Sequence, residues 1–421
     1  MVADSAPRRA TAPLLKDLNE RTVLEAIRSG APISRAEISR RAGISKPTVS
    51  LALQSLLEAG LVREAVHDPD GPSYGAVFFE PVADAALVLG VDVGARFLRG
   101  ALCDLTGAIR ARHDVELPVV DAATVLEAVT GLRDALVLAA GLPGDLIDGA
   151  VVGVPGVVDA ASGLVRLADN VPGLEGTAFG DELEVQLGLP AQVENDINLA
   201  ALGEQWRGVA RGVDDFAFLS IGTGLGAGVV LHGELHRGRH GAAGELDYVG
   251  AGIGQDLDPC AEAVSGFAAE MAAAPGASTA LTAPYDVRDV FAAARGGDAV
   301  AHAVVEEEAR RIALHIVPLA AVTDLALVVL GGGLGANGDL LLGPVRERLA
   351  EWVPYPPRVE VSSLGEAAVL TGALSVGVGR ALDSVFVNRA LRVSLSDGRS
   401  PASPRSGSSG RTRAGTRTRG A

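Results

Sequence analysis

The chain has 421 residues, enough for two or three domains, and its 48% apolar and 21% charged residues exclude global disorder. The net charge of −16 at pH 7 excludes a general nucleic-acid binder, so any DNA contact must be local. Two cysteines cannot form a disulfide framework, and no signal-peptide core or membrane span is predicted, so a cytoplasmic protein is expected.

The N-terminal part of the chain predicts a flexible arm followed by a winged helix. Residues 1–15 are rich in Ala, Pro and Arg and are expected to be flexible, and the winged helix-turn-helix is predicted over residues 16–80. Its three helices are predicted from apolar spacing and capping residues, at about 18–29, at 35–42 and from Ser45 to Gly60. Two strands then flank the turn-rich segment 67–75, which is typical of a hairpin tip.

The third predicted helix carries side chains that suit DNA reading. Short polar or basic residues near its start can meet base edges, and an arginine on the preceding helix can contact phosphate. The predicted DNA-binding residues are Arg35, Ser45, Lys46, Thr48, Ser50 and Gln54. The alternative is a small helical interaction domain, but the cap spacing, the turn glycine and the attached wing favour DNA binding. The wing segment has acids and no arginine, so it is expected to add little phosphate binding.

The residue pattern changes at Pro81, after which predicted strands and helices alternate. Residues 81–387 predict an α/β body with covered sheets. Glycine-rich turns at 90–94, 222–228 and 331–335 give a weak indication of two similar halves. Residues 388–421 are rich in Ser, Arg and Gly, and they are predicted to be disordered.

The stretch VENDINLAALGE, residues 193–204, places Asn195 and Asp196 where a strand meets a helix. The helix dipole favours an ionised carboxylate at such a start, which suits a general base or an acceptor for sugar hydroxyls. The alternative is an ordinary capping aspartate. Glu245 and Glu262 lie in Gly/Ala-rich surroundings and indicate little alone, although polyol recognition needs several converging acceptors.

Two glycine-rich segments can be interpreted as ligand loops or as structural loops. In SIGTGLGAGVV, residues 220–230, backbone N–H groups and the Thr223 hydroxyl can approach a phosphate. A plain β-hairpin would use the same glycines. LGGGLG, residues 330–335, precedes a predicted helix and suits either a nucleotide base or close packing. Neither segment decides between these interpretations by itself.

Together these motifs resemble one family. The helix-turn-helix occurs with VVGVPGVVD, NVPG, VENDINLAALGE, IGTGLGAG, GAAGELDY, CAEAVSG and LGGGLG. The chain resembles the ROK family (repressor, open reading frame, kinase) over about residues 16–385, in particular the branch of xylose and N-acetylglucosamine repressor-type regulators. The resemblance implies an α/β fold in which a winged helix-turn-helix precedes a two-lobed actin/hexokinase-like, ribonuclease H-like sugar-kinase body.

The resemblance also implies roles for particular positions. Sugar would lie in the cleft between the lobes, with Asp196 also at the catalytic-base position of family kinases. The implied sugar-binding residues are Asn195, Asp196, Glu245, Tyr248 and Glu262. The implied remnants of the nucleotide and phosphate loops are Asp92, Gly94, Gly222, Thr223, Gly224, Gly226 and Gly332.

The chain departs from the family pattern in three ways. The Asp-x-Gly-Gly-Thr-like phosphate turn of the kinases is replaced by residues 92–96, DVGAR, so a Cβ and a bulky arginine occupy the phosphate approach and use of ATP is in doubt. The family often holds zinc through one His and three Cys. Here Tyr248 stands at the His position and only Cys260 remains, so no metal is expected. That His usually also touches sugar, so specificity can differ.

The expected function is a sugar-responsive DNA-binding transcriptional regulator, a repressor of carbohydrate-utilisation genes that sugar releases. Its expected partners are a double-stranded operator with an inverted repeat, a small sugar and a second copy of the chain, as a homodimer or a dimer of dimers. The kinase-like body is expected to be a sensor and not an enzyme, without a cofactor. Two alternatives stay open: an ATP-dependent sugar kinase with an accessory DNA-binding domain, and a regulator whose pocket no longer binds sugar.

Overall fold

The structure, a computed structural model, describes residues 12–65, 76–119, 121–168, 171–246 and 257–396. They form a winged helix, two lobes that each contain a five-stranded sheet, and a long last helix. Within these ranges, none of the helices is both long and apolar enough to span a membrane.

The N-terminal unit consists of three helices and a small antiparallel sheet. Its elements are α1 (Ala12–Gly30), β1 (Ile33–Ser34), α2 (Arg35–Ala42), α3 (Lys46–Glu58), β2 (Val62–Glu64) and β3 (Phe78–Pro81). The three predicted helices are confirmed, but α1 starts at Ala12 and so includes residues predicted to be flexible. The strand β1, which the sequence did not indicate, pairs with β3 and gives the order β1-β3-β2. The predicted hairpin tip lies outside the described residues.

Lobe I follows the winged helix and is built on the sheet β10-β7-β4-β5-β6. Its elements are β4 (Leu87–Val93), β5 (Phe97–Asp104), β6 (Ile109–Glu116), α4 (Ala122–Ala140), β7 (Ile147–Val154), β8 (Val157–Val158), β9 (Val165–Arg166), α5 (Phe179–Leu187), β10 (Ala191–Asn195) and α6 (Asp196–Arg207). All seven residues of β4 are buried, as expected for a central strand with both faces covered. The strands β4, β7 and β10 run parallel, and β5 and β6 continue the sheet antiparallel.

Lobe II is built on the sheet β13-β12-β11-β14-β15. Its elements are β11 (Phe216–Ile221), β12 (Leu225–Leu231), β13 (Glu234–Leu235), α7 (Ala261–Ala273), α8 (Val287–Arg295), α9 (Ala299–Thr323), β14 (Leu327–Gly331), α10 (Gly332–Gly335), α11 (Gly338–Trp352) and β15 (Arg358–Val361). In both lobes, three consecutive strands form an antiparallel meander. Two further strands, parallel to the first strand of the meander, extend the sheet beyond it. The indication of two similar halves is therefore confirmed at the level of topology.

The last helix, α12 (Ala368–Ser396), returns from lobe II and packs against α6, β4 and β7 of lobe I. It continues past residue 388, where the sequence composition predicted that disorder begins. Residues 388–396 lie within this helix, and the disorder expected for residues 388–421 stays a prediction. Residues 397–421 lie outside the description.

The winged helix and lobe I share one hydrophobic core. Phe79 of β3 belongs to the same buried cluster as Val88 of β4 and Leu374 of α12. An ion pair on the surface, Arg21 to Asp383 at 2.8 Å, joins α1 to α12. The DNA-reading unit is thus packed onto one lobe and not suspended on a linker.

Candidate functional sites

The carboxyl ends of three parallel strands form one edge of the lobe I sheet, and we refer to the space between this edge and Glu245 of lobe II as the cleft. Asp92 in β4 is level with Gly153 in β7, and Gly153 is level with Glu194 in β10. In open α/β sheets, ligands bind at the carboxyl ends of the strands. The fold therefore brings Asp92 to the same edge as Asn195 and Asp196, although about a hundred residues separate them in the chain.

Asn195 fixes the start of α6 and is almost fully buried. Its Oδ1 accepts a hydrogen bond from the Asn198 N–H at 2.8 Å, and its Nδ2 donates to the Gly156 carbonyl at 2.9 Å. The helix cap is therefore Asn195 and not the aspartate. The Oδ1 of Asp196 accepts from the Ile197 N–H at 2.8 Å, which leaves the second carboxylate oxygen for other partners.

The cleft carboxyl groups repel one another. Burial raises the pKa of Asp196 most, and together with the nearby charges of Asp92 and Glu245 it brings this pKa to about 7. Burial likewise raises the pKa of Asp92 to about 6, although the Arg99 guanidinium counteracts this. Desolvation and like charge therefore oppose the stabilisation of the carboxylate by the helix dipole, so Asp196 is only partly ionised at neutral pH.

Arg99 is a residue of this cleft that the motifs did not reveal. Its guanidinium donates to Asp92 Oδ2 at 3.4 Å and to Glu366 Oε2, just before α12, at 3.1 Å. A Cβ added at Gly94 would lie 3.1 Å from an Arg99 nitrogen, so this cation lies beside the turn 92–96. The signal was present, because antiparallel pairing of the two strands that flank the turn 94–96 places Arg99 opposite Asp92.

Glu194 and Glu204 are two further residues with roles that the sequence did not indicate. Glu194 is buried and accepts from Asn198 Nδ2 at 3.0 Å and from Arg237 Nε at 2.7 Å, which joins lobe I to a loop of lobe II. Glu204 is fully buried at the end of α6, where it accepts from the Ser362 hydroxyl at 2.5 Å. Glu194 thus joins the two lobes, and Glu204 fixes the end of α6 to the segment after β15.

The acids predicted on the lobe II side are placed differently. Glu245 is half-buried and close enough for its charge to raise the pKa of Asp196. Glu262 is exposed in the first turn of α7, whose Ala261 N–H donates to the Gly222 carbonyl at 2.9 Å. The helix start thus places Glu262 beside the glycine turn 222–224. Tyr248 falls in the segment 247–256, outside the described residues.

The glycine loops divide into packing glycines and open glycines. A Cβ at Gly226 would lie 2.4 Å from Ile197 Cδ1, so this glycine lets β12 approach the start of α6. Gly332 has φ +76°, and its Cβ would lie 2.3 Å from the Ile221 carbonyl oxygen. In contrast, an open turn is formed by Gly222, Thr223 and Gly224. A Cβ added at Gly224 would meet nothing within 4 Å. Packing explains the first two glycines, and the turn 222–224 is open to a ligand.

The helix-turn-helix has the geometry expected of a DNA reader. Ser34 accepts from the Glu37 N–H at 3.3 Å, Ser45 accepts from the Thr48 N–H at 3.4 Å, and Gly43 makes the turn with φ +66°. Of the predicted contacts, the exposed side chains are Arg35, Ser45, Lys46 and Gln54, and the half-buried ones are Thr48 and Ser50. Ser50 donates to the Lys46 carbonyl at 2.9 Å. Gln54 donates to Glu58 at 3.0 Å, so it must exchange that partner to read a base.

The fold and the two sites define a class: a winged helix-turn-helix protein with a two-lobed sugar-kinase-like body. Residues 88–377 match the ROK family, and residues 17–71 match the MarR family. The chain therefore belongs to the ROK family, and the predicted resemblance and fold class are confirmed.

Similar proteins include regulators and kinases. A xylose repressor of Caldicellulosiruptor bescii is 26% identical over 385 residues, which cover 86% of this chain and 96% of that protein. The chain also resembles the crystal structure of a ROK family transcriptional regulator, a homologue of the E. coli MLC protein, with a TM-score of 0.76 and 24% identity. The match covers 90% of this chain and 99% of the other, and it shows a common fold. A ROK family glucokinase from Streptomyces griseus, in complex with glucose and AMPPNP, has a TM-score of 0.59 at 27% identity over 69% and 99%.

Proposed function

We propose that the chain is a sugar-responsive transcriptional repressor, whose binding to an operator weakens when sugar enters the cleft. One observation carries the proposal: an exposed helix-turn-helix shares a hydrophobic core with a lobe that presents Asp92 and Asp196 to a cleft. Similarity to a xylose repressor along 96% of its length supports the regulator, and similarity to a glucokinase crystallised with glucose supports the ligand class.

The cleft chemistry suits a neutral polyol. Each sugar hydroxyl needs an acceptor, and ionised carboxylates are acceptors only. Asp196, with its pKa of about 7, exists in both protonation states near neutrality and can accept or donate one hydrogen bond. Glu245 adds a second acceptor from the opposite lobe, so a sugar that contacts both acids would draw the lobes together.

A short route connects the cleft with the DNA-reading unit. The helix α6 starts at Asp196 and packs against α12, and Asp383 of α12 pairs with Arg21 of α1. Because α12, lobe I and the winged helix share one core, closure that rotates lobe I relative to lobe II would carry the winged helix with it. Linkage then requires sugar and DNA to weaken each other by the same factor, of the order of 5–150-fold.

The active form is a dimer, or a dimer of dimers, on an inverted repeat. One helix-turn-helix offers too few contacts for the affinity that an operator requires, and two-fold pairing doubles them. The two half-sites are then separated by a whole number of helical turns of ~10 base pairs each. Footprinting of the full chain on its selected operator tests this. Protection of one unrepeated half-site by a monomer would contradict it.

The repressor works without nucleotide or zinc. The Arg99 guanidinium lies beside Gly94 and is already bonded to Asp92 and Glu366, so it would have to give up a carboxylate partner to bind a nucleotide phosphate. Zinc does not fit the residues present, because Cys260 lies at the start of α7, the other cysteine, Cys103, is buried in lobe I, and a structural site needs about four ligands. Elemental analysis that finds one zinc per chain would reverse this statement.

Thermal-shift screening against monosaccharides, N-acetyl sugars and sugar phosphates tests the sensor. A true ligand at ~100 times its dissociation constant adds ~2.7 kcal/mol of stability. The best sugar is then added to the full chain bound to an operator selected from random duplexes, and DNA release is expected. A sugar that stabilises the protein but leaves DNA bound would contradict the repressor mechanism.

A sugar kinase with an accessory DNA-binding domain is the second candidate. One observation favours it: a pKa of about 7 for Asp196 matches the optimum for a general base at neutral pH. The test is production of ADP from ATP with the sugar that gives the largest thermal shift. Steady turnover that is lost in Asp196→Asn would establish the kinase and overturn the sensor.

A further inference from the structure

Leu51 lies at the centre of the outer face of α3. The buried side chains of this helix are Val49, Ala52, Leu53 and Leu56. At 100° per residue, they cover an arc centred about 150° from Leu51, so Leu51 points away from the core. Pro47 and Gln54 flank it on the same outer face, one turn before and about one turn after.

An exposed leucine here is not explained by packing. The Leu51 side chain is 70% exposed, against 36% for Leu57 on the same helix. Single exposed apolar residues are common on protein surfaces, but this one occupies the middle of the surface that a helix-turn-helix inserts into the major groove. Polar residues suited to base edges surround it, among them Ser50 and Gln54, which the sequence analysis had selected while passing over the leucine.

We propose that Leu51 is a specificity residue that contacts the C5 methyl group of a thymine in each half-site. This inference rests on the proposed DNA-binding function and deepens it. The major-groove edge of thymine carries a methyl group, whereas guanine, cytosine and adenine present polar atoms. Leucine has no donor or acceptor, so a polar base edge placed against it would lose its water without a replacement hydrogen bond. A thymine methyl is therefore the group favoured opposite Leu51.

Removal of the methyl group gives a measurable penalty. Replacement of thymine by deoxyuridine deletes only the C5 methyl and leaves base pairing intact. Burying one methyl-sized group corresponds to roughly a four-fold change in affinity per half-site. The penalty should fall on a single position of each half-site, because one leucine reaches one methyl group.

The experiment uses the full chain and an operator selected from a random duplex pool. Each thymine is replaced in turn, symmetrically in both half-sites, and binding is measured by fluorescence anisotropy at fixed salt. The wild type should lose affinity at one position, Leu51→Ala should bind the thymine and uracil duplexes equally, and Leu57→Ala, on the flank of the helix, should keep the wild-type discrimination.

The outcomes separate this inference from the proposed function. Specific operator binding without a penalty at any uracil position, or discrimination that survives in Leu51→Ala, would overturn the leucine–methyl contact alone. Selection that recovers no specifically bound duplex would overturn the DNA-binding function and the inference with it. Because Leu51 is exposed, its replacement by alanine leaves the core of the winged helix intact.

Discussion

Gly203 of α6 lies against Gly372 of α12: a Cβ added at Gly203 would sit 3.0 Å from the Gly372 nitrogen and 2.3 Å from the Ala368 carbonyl oxygen. A Cβ added at Gly372 would sit 1.8 Å from the Leu199 carbonyl oxygen. The two backbones are in contact, so the crossing admits glycine only. This crossing lies between the cleft, where α6 starts, and the end of α12 that meets the winged helix.

Replacing Gly372 by alanine is expected to separate these helices. Backbone atoms cannot move aside as a flexible side chain can, so Gly372→Ala should destabilise the protein by roughly 1–3 kcal/mol or more. Gly379→Ala is the matched control on the same helix, where a Cβ would meet nothing within 4 Å. The control should gain roughly 0.5–1 kcal/mol from helix propensity. Urea denaturation of both variants measures the difference, and equal stabilities would contradict the close crossing.

Asp196→Asn is expected to stabilise the sugar-free protein at alkaline pH. The folded-state pKa of about 7 lies above the ordinary value of 3.8, so folding favours the protonated acid, and stability falls as the pH rises from about 4 to 7. Asparagine removes this loss. The variant should exceed the wild type at pH 8 by about 1 kcal/mol or more, since one pKa unit is worth 1.36 kcal/mol. Denaturation at pH 8, 6 and 4 should show the advantage shrinking as the pH falls, with the surface substitution Asp134→Asn as control.

Glu245→Ala is expected to create a super-repressor. The substitution removes an acceptor from the cleft, so sugar should no longer release DNA, whereas operator affinity without sugar should stay near that of the wild type. Fluorescence anisotropy with and without the best thermal-shift sugar measures both quantities. Glu351→Ala on α11, an exposed acid away from the cleft, should respond like the wild type. Release of DNA by Glu245→Ala at the wild-type sugar concentration would exclude Glu245 from the sensor.

Lys46 and Gln54 should differ in the way they contribute to DNA binding. Lys46→Ala should weaken binding to all sequences and reduce the slope of log K against log salt by about one, because it removes one phosphate contact. Gln54→Ala should cost about 1–3 kcal/mol only on the selected operator. Arg288→Ala, an exposed cation of α8 in lobe II, is the control. Unchanged binding by both α3 variants would show that this helix does not enter the groove.

The features that sequence predicted well are local ones. The helix that starts at Ser45 was predictable because its cap and its apolar spacing lie within one segment of chain. The raised pKa of Asp196 was not, because it depends on burial and on Asp92, which strand pairing brings near from a distant part of the sequence. The bond from Arg99 to Glu366 spans 267 positions and leaves no trace in any motif.

The choice between equivalent residues at one joint was also beyond the sequence. Asn195 and Asp196 both favour helix starts, so the pattern identified the joint but not which residue caps it. The register of β10 against β7 decides, since it places the Asn195 amide 2.9 Å from the Gly156 carbonyl. Motif spacing likewise selected the polar residues of α3 and ignored Leu51, although helical periodicity already places this leucine opposite the apolar stripe.

The core shared by the winged helix and lobe I limits how such a repressor can be redesigned. A chimera that exchanges only residues 16–80 for another reading head would expose Val88 and Leu374 to a surface that was not shaped to cover them. The exchanged part must therefore also include the face of β4 and α12 that packs against the new winged helix. Asp383 must be kept if the new winged helix retains an arginine at position 21. For a biosensor built on this chain, changing the operator through single residues of α3 is the route that leaves the sensor body undisturbed.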